Sequence, residues 1–369
     1  MRTDIAIVGA GMAGASLAAM IGDRAGVVLI EAEDQPGYHS TGRSAAFWSE
    51  SYGGPVVQPL TTASGPWLEA GGFLNARGCL HIAGDGPGRE ALDVLAAELE
   101  EGGVAHVRLG QSDIAAAIPG LAPGIVAGLS EPSCRDIDVA ALHADVLGRA
   151  RRAGAILLPD ARVQAIARVD KGWRLVTRAG GIAARVVVNA AGAWADMVAE
   201  MAGVAPLGIQ PYRRTVVQLA VNPPPPANLP LVLDALGRFY FKPEAGGKLW
   251  VSPHDETAAM AHDVAAEELD VALAIDRLQQ VVDWRVIRRE RAWAGLRSFA
   301  PDRLPVYGFD ASIPGFFWFA GQGGFGIQTA PAAAMLGAAL LLGEASPADV
   351  SAIDIERYAP TRFGTPNRS

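Results

Sequence analysis

The feature that most constrains the fold is a glycine-rich turn near the N-terminus. Asp4 to Val8 is an apolar run that predicts a strand, and an alanine-rich segment ending at Ile21 suits a helix. Between them lies Gly9-Ala-Gly-Met-Ala-Gly14. The first glycine permits a tight turn, the second lets the backbone approach a pyrophosphate, and the third lets the helix pack closely on the strand. The pattern predicts a dinucleotide site at the start of an α/β, Rossmann-like fold.

A second apolar run supports this interpretation. Val27 to Ile30 predicts the next strand, and Glu31 follows it directly. An acid at that place can accept hydrogen bonds from ribose hydroxyls. These residues alone do not distinguish FAD from NAD.

The composition argues against several other classes of protein. A formal net charge of −8 disfavours nucleic acid as a partner, because such binding needs a basic surface. The two cysteines, Cys79 and Cys134, form neither a disulfide framework nor a metal-ligand pattern, so we expect no metal. Apolar stretches such as Ala333 to Leu342 are shorter than the roughly 20 residues of a membrane span. The N-terminus lacks the pattern of a secretory signal, so we expect a cytoplasmic enzyme of two domains, with Thr365 to Ser369 frayed.

The segment Gln35-Pro-Gly-Tyr-His-Ser-Thr-Gly-Arg-Ser-Ala-Ala46 follows the ribose position and is suited to wrapping a flavin diphosphate. It resembles the D-amino-acid oxidase superfamily, and especially its D-arginine dehydrogenase-like branch, which carries nearly the same string. The resemblance continues, in the same order, through Val188-Asn-Ala-Ala-Gly-Ala-Trp194, Pro211-Tyr-Arg-Arg214, Phe239-Tyr-Phe-Lys-Pro243, Trp293-Ala-Gly-Leu-Arg-Ser298 and Gln322-Gly-Gly-Phe-Gly-Ile-Gln-Thr329. It spans almost the whole chain and implies a non-covalently bound FAD.

The resemblance also implies two interleaved domains. The Rossmann-like FAD domain would comprise residues 1–75, 140–205 and 300–369, and an α+β substrate domain, built on a mixed or antiparallel sheet, residues 76–139 and 206–299. The glycine loop after Gly321 precedes a predicted helix, from about Thr329 to Leu342, whose dipole would face charge on the reduced flavin. The residues implied to bind FAD are Gly9, Gly11, Met12, Ala13, Gly14, Glu31, Ala32, Ser40, Thr41, Arg43, Ser44, Ala45, Ala46, Val163, Ala190, Ala191, Gly192, Trp194, Gly323, Gly324, Phe325, Gly326, Ile327 and Gln328.

An amino or hydroxy acid presents a carboxylate, which the planar fork of arginine binds best. The resemblance assigns this role to Arg214 and Arg297, with Tyr52 and Tyr240 lining the same pocket and Gln328 near flavin and substrate. These five residues are the candidate catalytic set. Hydride transfer from the α-carbon to the flavin needs orientation and electrostatics rather than a nucleophile, and the sequence offers no evident general base.

Two departures from the arginine-specific pattern bear on the substrate. Phe47 replaces a pocket histidine, and Cys79 stands where an acid would meet a guanidinium, although Glu50 is a nearby acid. A cationic side chain would lack an anionic partner. We therefore expect oxidative deamination of a D-amino acid with a neutral or apolar side chain.

Several alternatives remain open from the sequence. They are oxidation of glycine, sarcosine or another N-alkyl amino acid, oxidation of a 2-hydroxy acid, and a non-catalytic FAD-binding sensor. The electron acceptor would be oxygen, a quinone or a redox protein.

Overall fold

The computed structural model describes residues 1–364, so the predicted fraying of 365–369 lies outside the described residues. The helices are α1 (Met12–Ile21), α2 (Gly54–Ala70), α3 (Pro87–Glu101), α4 (Gln111–Ala117), α5 (Val139–Arg152), α6 (Ala195–Met201), α7 (Glu268–Gln279) and α8 (Ala330–Leu342). The strands are β1 (Arg2–Val8), β2 (Val27–Ile30), β3 (Phe47–Trp48), β4 (Leu74–Ala76), β5 (Cys79–Ala83), β6 (Val107–Gly110), β7 (Ala127–Glu131), β8 (Arg135–Ile137), β9 (Ile156–Leu158), β10 (Val163–Val169), β11 (Gly172–Thr177), β12 (Gly180–Asn189), β13 (Gln210–Asn222), β14 (Leu231–Asp234), β15 (Tyr240–Glu244), β16 (Lys248–Ser252), β17 (Thr257–Ala258), β18 (Arg285–Phe299), β19 (Val306–Phe309) and β20 (Phe316–Ala320).

The first large sheet carries the nucleotide-binding pattern. Its parallel centre has the order β20, β12, β1, β2 and β9, with β10 and β11 added as an antiparallel hairpin beside β12 and β19 antiparallel to β20. The central strands are continuous apolar runs, such as VVLI in β2 and FFWFA in β20, because both faces are covered. Helix α1 packs against α5 and α8 on this sheet. The α/β, Rossmann-like prediction is confirmed.

The second large sheet is mixed and mostly antiparallel, as predicted. Its order is β17, β13, β16, β15, β14, β5, β7 and β6, with β18 paired along β13 and with β14 parallel to β5. Strands β13 and β18 are long, and their antiparallel register runs from Gln210 opposite Phe299 to Asn222 opposite Arg285. This ladder carries both predicted substrate arginines.

A small sheet of β3, β8 and β4 lies apart from the two large sheets in the strand pairing. All strands of the first large sheet fall within 1–75, 140–205 and 300–369, and all strands of the second within 76–139 and 206–299. We propose the two-domain division on this basis. Within residues 1–364, no helix has both the length and the apolar character needed to cross a membrane.

Candidate active site

The glycine turn brings the end of β1 into direct contact with the end of β12. Gly9 has a φ of +104°, and a Cβ there would lie 2.4 Å from the carbonyl oxygen of Ala190. A Cβ on Gly14 would lie 1.9 Å from the carbonyl oxygen of Gly9. Only glycine fits these two places, so the turn, the helix and the neighbouring strand meet without side chains between them.

The N-terminus of α1 opens on a large cavity. Gly11 precedes the helix and provides no capping side chain, and the Thr41 hydroxyl instead accepts a hydrogen bond from the Met12 amide at 2.9 Å. Gly11, Met12 and Thr41 all line the cavity. The positive end of the helix dipole therefore faces the cavity, which suits an anionic diphosphate.

Glu31 lies at the end of β2 on the same cavity. Its buried carboxylate accepts hydrogen bonds from the amides of Ala10 at 3.0 Å, Ala32 at 2.7 Å and Glu33 at 3.1 Å. A carboxylate has about four acceptor positions. The three amides fix its orientation and leave capacity for a ribose hydroxyl.

The cavity has a volume of about 460 Å³, within the usual range for cofactor sites. Its lining runs from Glu31 past the α1 N-terminus to Gly324 before α8. The carboxylate, the free helix end and the side-chain-free glycine turn fit the ribose, the diphosphate and a planar ring. Predicted cofactor residues on this lining are Gly9, Gly11, Met12, Ala13, Glu31, Ala32, Ser40, Thr41, Arg43, Ser44, Val163, Ala190, Ala191, Gly192, Trp194, Gly323, Gly324, Gly326 and Ile327.

Five predicted cofactor residues lie elsewhere. Ala45, Ala46 and Gln328 line a smaller cavity of about 20 Å³, which shares Ser44, Arg297, Gly324 and Ile327 with the large one. Gly14 and Phe325 line neither cavity. Gly14 faces β1 within the turn, and the Phe325 ring turns away to pack edge-on against Tyr52, with ring centroids 5.1 Å apart.

Arg43 lines the cavity but its guanidinium binds the protein. It donates hydrogen bonds to the carbonyls of Val264 at 2.8 Å and Ala294 at 3.2 Å, and it pairs with Asp263. The neighbouring Ser40 hydroxyl donates to the Leu296 carbonyl at 2.6 Å. These hydrogen bonds attach the Gln35–Ala46 segment, which carries Ser40 and Arg43, to β18 of the second sheet.

Two adjacent arginines on β13 point in opposite directions, because side chains alternate along a strand. Arg213 is bound by acids, with 2.9 Å to Asp270, 3.7 Å to Asp255 and a further pair to Glu267. Arg214 faces the cavity. Its acid partners give Arg213 a structural role.

Arg214 is 3% exposed and only partly satisfied by the protein. Its Nε donates to the Asp255 carbonyl at 2.8 Å and its Nη2 to Glu256 at 2.9 Å, while Nη1 is buried without a partner among the described residues. Burial and then the charge of Arg297 lower the pKa of Arg214 to about 10. An unpaired, desolvated donor of this kind is well placed to bind an anionic ligand.

Arg297 lies on the same face of the ladder, opposite Tyr212 and therefore diagonal to Arg214. Its Nη1 donates to the Tyr52 hydroxyl at 2.6 Å. Burial acts to lower the pKa of Arg297, but the nearby Tyr52 and Tyr240 hydroxyls outweigh it and raise the pKa. We refer to Arg214 and Arg297 together as the arginine pair.

Tyr52, Tyr240 and Gly324 were also predicted near the arginine pair; Tyr52 and Gly324 line the small cavity, whereas Tyr240 lines neither cavity. The Tyr240 hydroxyl is buried and has no hydrogen-bond partner among the described residues. A Cβ on Gly324 would lie 2.5 Å from the Tyr52 hydroxyl and 2.7 Å from Arg297 Nη1. The absence of a side chain at Gly324 therefore leaves room for Arg297 and Tyr52 beside the backbone before α8.

Comparisons with known proteins agree with this geometry. The sequence profile of the DAO family, described as FAD dependent oxidoreductase, matches residues 4–340. The chain belongs to the DAO family. Its cofactor is FAD, and the DAO-family assignment makes the chain an oxidoreductase.

Curated relatives of this DAO-family chain are distant. The hydrogen cyanide synthase subunit HcnC of Pseudomonas aeruginosa is 27% identical over 58% of this chain and 51% of its own length. Mouse mitochondrial dimethylglycine dehydrogenase is 28% identical over 63% of this chain and 29% of its own length. The chain thus spans about half of the first relative and less than a third of the second.

Solved structures share the fold over nearly the full chain. L-proline dehydrogenase from P. horikoshii superposes with a TM-score of 0.85 at 21% identity, covering 98% of both chains. Glycine oxidase from Geobacillus kaustophilus gives a TM-score of 0.84 at 23% identity, covering 98% of this chain and 99% of its own.

Gln328 is buried in this DAO-family site, and its amide is fully used by the protein. Its Nε2 donates to the Tyr52 carbonyl and to the Thr61 hydroxyl, both at 2.9 Å, and its Oε1 accepts from the Ser49 amide at 3.3 Å. These contacts hold the segment that carries Tyr52. They suit a residue that positions the pocket.

The structure also brings to the cavity two residues that the sequence did not predict, Met197 and Met201, together with His39 of the Gln35–Ala46 segment. Met197 and Met201 line it from one face of α6, and His39, bonded to Glu33 at 3.0 Å, packs 4.7 Å from the Trp194 ring. The methionines are four residues apart on a short helix directly after the Val188–Trp194 motif. This spacing places them on one helix face, so the sequence pattern could have predicted them.

Proposed function

We propose that this enzyme oxidises the α-carbon of a neutral α-amino acid, with a D-amino acid bearing a neutral or apolar side chain as the first candidate. The observation that carries the proposal is the buried, unpaired Nη1 of Arg214 beside Arg297, in the cavity that suits FAD. A carboxylate is the anion that matches two guanidinium groups in a partly polar pocket.

The residues of the site would act mainly by orientation. The arginine pair binds the carboxylate, and the hydroxyls of Tyr52 and Tyr240 add hydrogen bonds at its edge. The bound FAD supplies the acceptor for a hydride from the substrate α-carbon. Binding of the carboxylate at one end orients the α-carbon for hydride transfer. This orientation is the largest contribution to catalysis that the site needs to make.

A neutral side chain is supported by the charges around the site. Among the described residues that line the two cavities, Glu31 and Glu33 are the only acids, and both lie at the ribose end. Cys79 is buried and lines neither cavity, and Glu50 accepts a hydrogen bond from Thr62 instead of facing the pocket. A desolvated cationic side chain would find no partner.

A second candidate is glycine or an N-alkyl amino acid such as sarcosine. It is favoured by the small cavity of about 20 Å³ beside Phe47, Tyr52 and Arg297, which leaves little room for a side chain. The names of the relatives, glycine oxidase and dimethylglycine dehydrogenase, point the same way. A 2-hydroxy acid substrate and a non-catalytic FAD-binding sensor are further outcomes of the test below.

The test is anaerobic mixing of the FAD-bound protein with separate D-amino acids, L-amino acids, glycine, sarcosine and 2-hydroxy acids. Loss of the flavin absorption with neutral D-amino acids supports the first candidate, and loss only with glycine or sarcosine supports the second. No loss with any of them favours the sensor and refutes the proposal. Turnover in air, with a quinone or with a redox dye then identifies the electron acceptor.

A further inference from the structure

A buried carboxylate outside the cavities holds the segment that carries Tyr52. Glu131, the last residue of β7, is 0% exposed. It accepts hydrogen bonds from the Ser49 hydroxyl at 2.8 Å, the Glu50 amide at 2.7 Å, the Ser51 amide at 3.4 Å and the Ser51 hydroxyl. Four donors therefore come from the three residues immediately before Tyr52.

The environment of Glu131 makes this arrangement costly unless the bonds are kept. No Lys or Arg among residues 1–364 forms an ion pair with it. Burial acts to raise the pKa of Glu131, and the hydrogen bonds from Ser51 and Ser49 oppose that effect. A buried carboxylate without a cation is stable only when donors saturate it.

His81 extends the network behind the segment. Its Nε2 lies 3.1 Å from the Ser51 hydroxyl, and the ligand atoms of Cys79, His81 and Glu131 lie within 4.8 Å of one another. Because burial lowers the pKa of His81 to about 4, the ring is neutral at pH 7. The hydroxyl and amide donors already occupy the Glu131 carboxylate, so this cluster reads as a hydrogen-bond network rather than a metal site.

The segment is fixed from two sides. Gln328, just before α8, bonds to the Ser49 amide and the Tyr52 carbonyl. Glu131, on the second sheet, bonds to Ser49, Glu50 and Ser51. Tyr52 then presents its hydroxyl to Arg297 at 2.6 Å. A shift of this backbone would separate Tyr52 from Arg297.

We propose that Glu131 is a positioning residue of the substrate site, which acts by holding Ser49 to Ser51 so that Tyr52 meets Arg297. The predicted effect of Glu131 on substrate binding rests on the proposed function, whereas its hydrogen bonding to Ser49 to Ser51 does not.

The test uses the full FAD-bound chain and the substitution Glu131→Gln, which keeps the shape but places an amide donor against the existing donors. Hydrogen–deuterium exchange of a peptide covering residues 47–53 should rise. Binding of pyruvate, a 2-oxo acid of the proposed product class, followed by the flavin spectrum, should weaken by about tenfold or more. The double variant with Tyr52→Phe should bind no more weakly than the weaker single variant, since both act through Tyr52.

The matched control is Asp234→Asn. Asp234 is another buried carboxylate of the same sheet, but it bonds to Arg238 at 2.7 Å and 2.8 Å and accepts no hydrogen bond from residues 49–51. Asp234→Asn should change the stability of the fold, but it should leave the hydrogen–deuterium exchange of residues 47–53 and the affinity for pyruvate unchanged. If Glu131→Gln does not fold, Ser49→Ala and Ser51→Ala each remove one hydroxyl donor from the same carboxylate.

Unchanged exchange in Glu131→Gln overturns the inference, as do independent, additive effects with Tyr52→Phe. If the unmodified protein neither binds carboxylates nor loses its flavin absorption with any substrate, the proposed function fails. The exchange measurement then still shows whether Glu131 holds the segment.

Discussion

Replacement of Arg214 by lysine tests the substrate site most directly. The substitution keeps a positive charge but removes the planar fork, including the buried Nη1 that has no partner in the protein. The bonds of Arg214 to the Asp255 carbonyl and to Glu256 hold the fork in place, so a lysine ammonium cannot reproduce the same direction of approach. We expect Arg214→Lys to bind FAD normally and to bind substrate poorly.

The magnitude follows from the loss of one charge-assisted hydrogen bond in a buried place. Such a bond contributes about 1.5–3 kcal/mol. At about 1.4 kcal/mol per tenfold change, the half-saturating concentration of substrate or of a carboxylate inhibitor should rise roughly 10- to 150-fold. The flavin content per chain should stay the same.

Arg213→Lys is the matched control, because Arg213 is the next residue on the same strand and faces acids on the other side. It should lower the melting temperature and change carboxylate affinity by less than about twofold. The assay is titration of the FAD-bound proteins with substrate and inhibitor, followed by flavin absorption. Equal losses in the two variants, or no loss in Arg214→Lys, would refute our assignment of the binding face.

The same arginine predicts a pH dependence. Because the pKa of Arg214 is lowered to about 10, the free site loses this positive charge as the pH rises through that value. Affinity for a carboxylate inhibitor should therefore be constant from neutral pH upward and fall above about pH 10. Arg214→Met should lack this decline.

Three further predictions concern glycine contacts and a buried histidine. Gly324→Ala should weaken carboxylate binding at least tenfold with FAD retained, because the new methyl would collide with Tyr52 and Arg297; inhibitor titration measures this. Gly9→Ala should weaken FAD binding by about tenfold or more, measured as flavin released on dilution, because its φ is +104° and the turn has no room for a Cβ. Stability in urea should fall by about 3 kcal/mol as the pH falls from 6.5 to 4, because the pKa of His81 is lowered in the fold to about 4 and protonation favours the unfolded chain. His81→Asn should lose less over the same pH range, and an equal loss would assign the effect to other groups.

The sequence predicted the nucleotide half of this enzyme well because its constraints are local. The glycine turn, β1, β2 and Glu31 lie within the first 31 residues. Each of them follows from the conformation, hydrophobicity or charge of neighbouring residues in the sequence. The apolar helix α8, predicted from about Thr329 to Leu342, is likewise a local pattern.

The parts that escaped prediction depend on contacts between distant segments. Glu131 follows no motif, and its partners Ser49 to Ser51 lie about 80 residues earlier in the chain. Arg43 was predicted from its motif, but its guanidinium partners, more than 200 residues away, were not. Such pairings are set by how β7 packs against Ser49 to Ser51 and how β18 packs against the segment with Ser40 and Arg43, which propensity and periodicity do not encode.

The antiparallel register of β13 and β18 has an evolutionary consequence. Both guanidinium groups come from one ladder, whereas the wall of the small cavity includes Phe47, which comes from a separate small sheet. In the function that we propose, recognition of the carboxylate is thereby separated from recognition of the side chain. Substitutions in this wall can change which side chain such an enzyme accepts, while the arginines that bind the carboxylate remain the same.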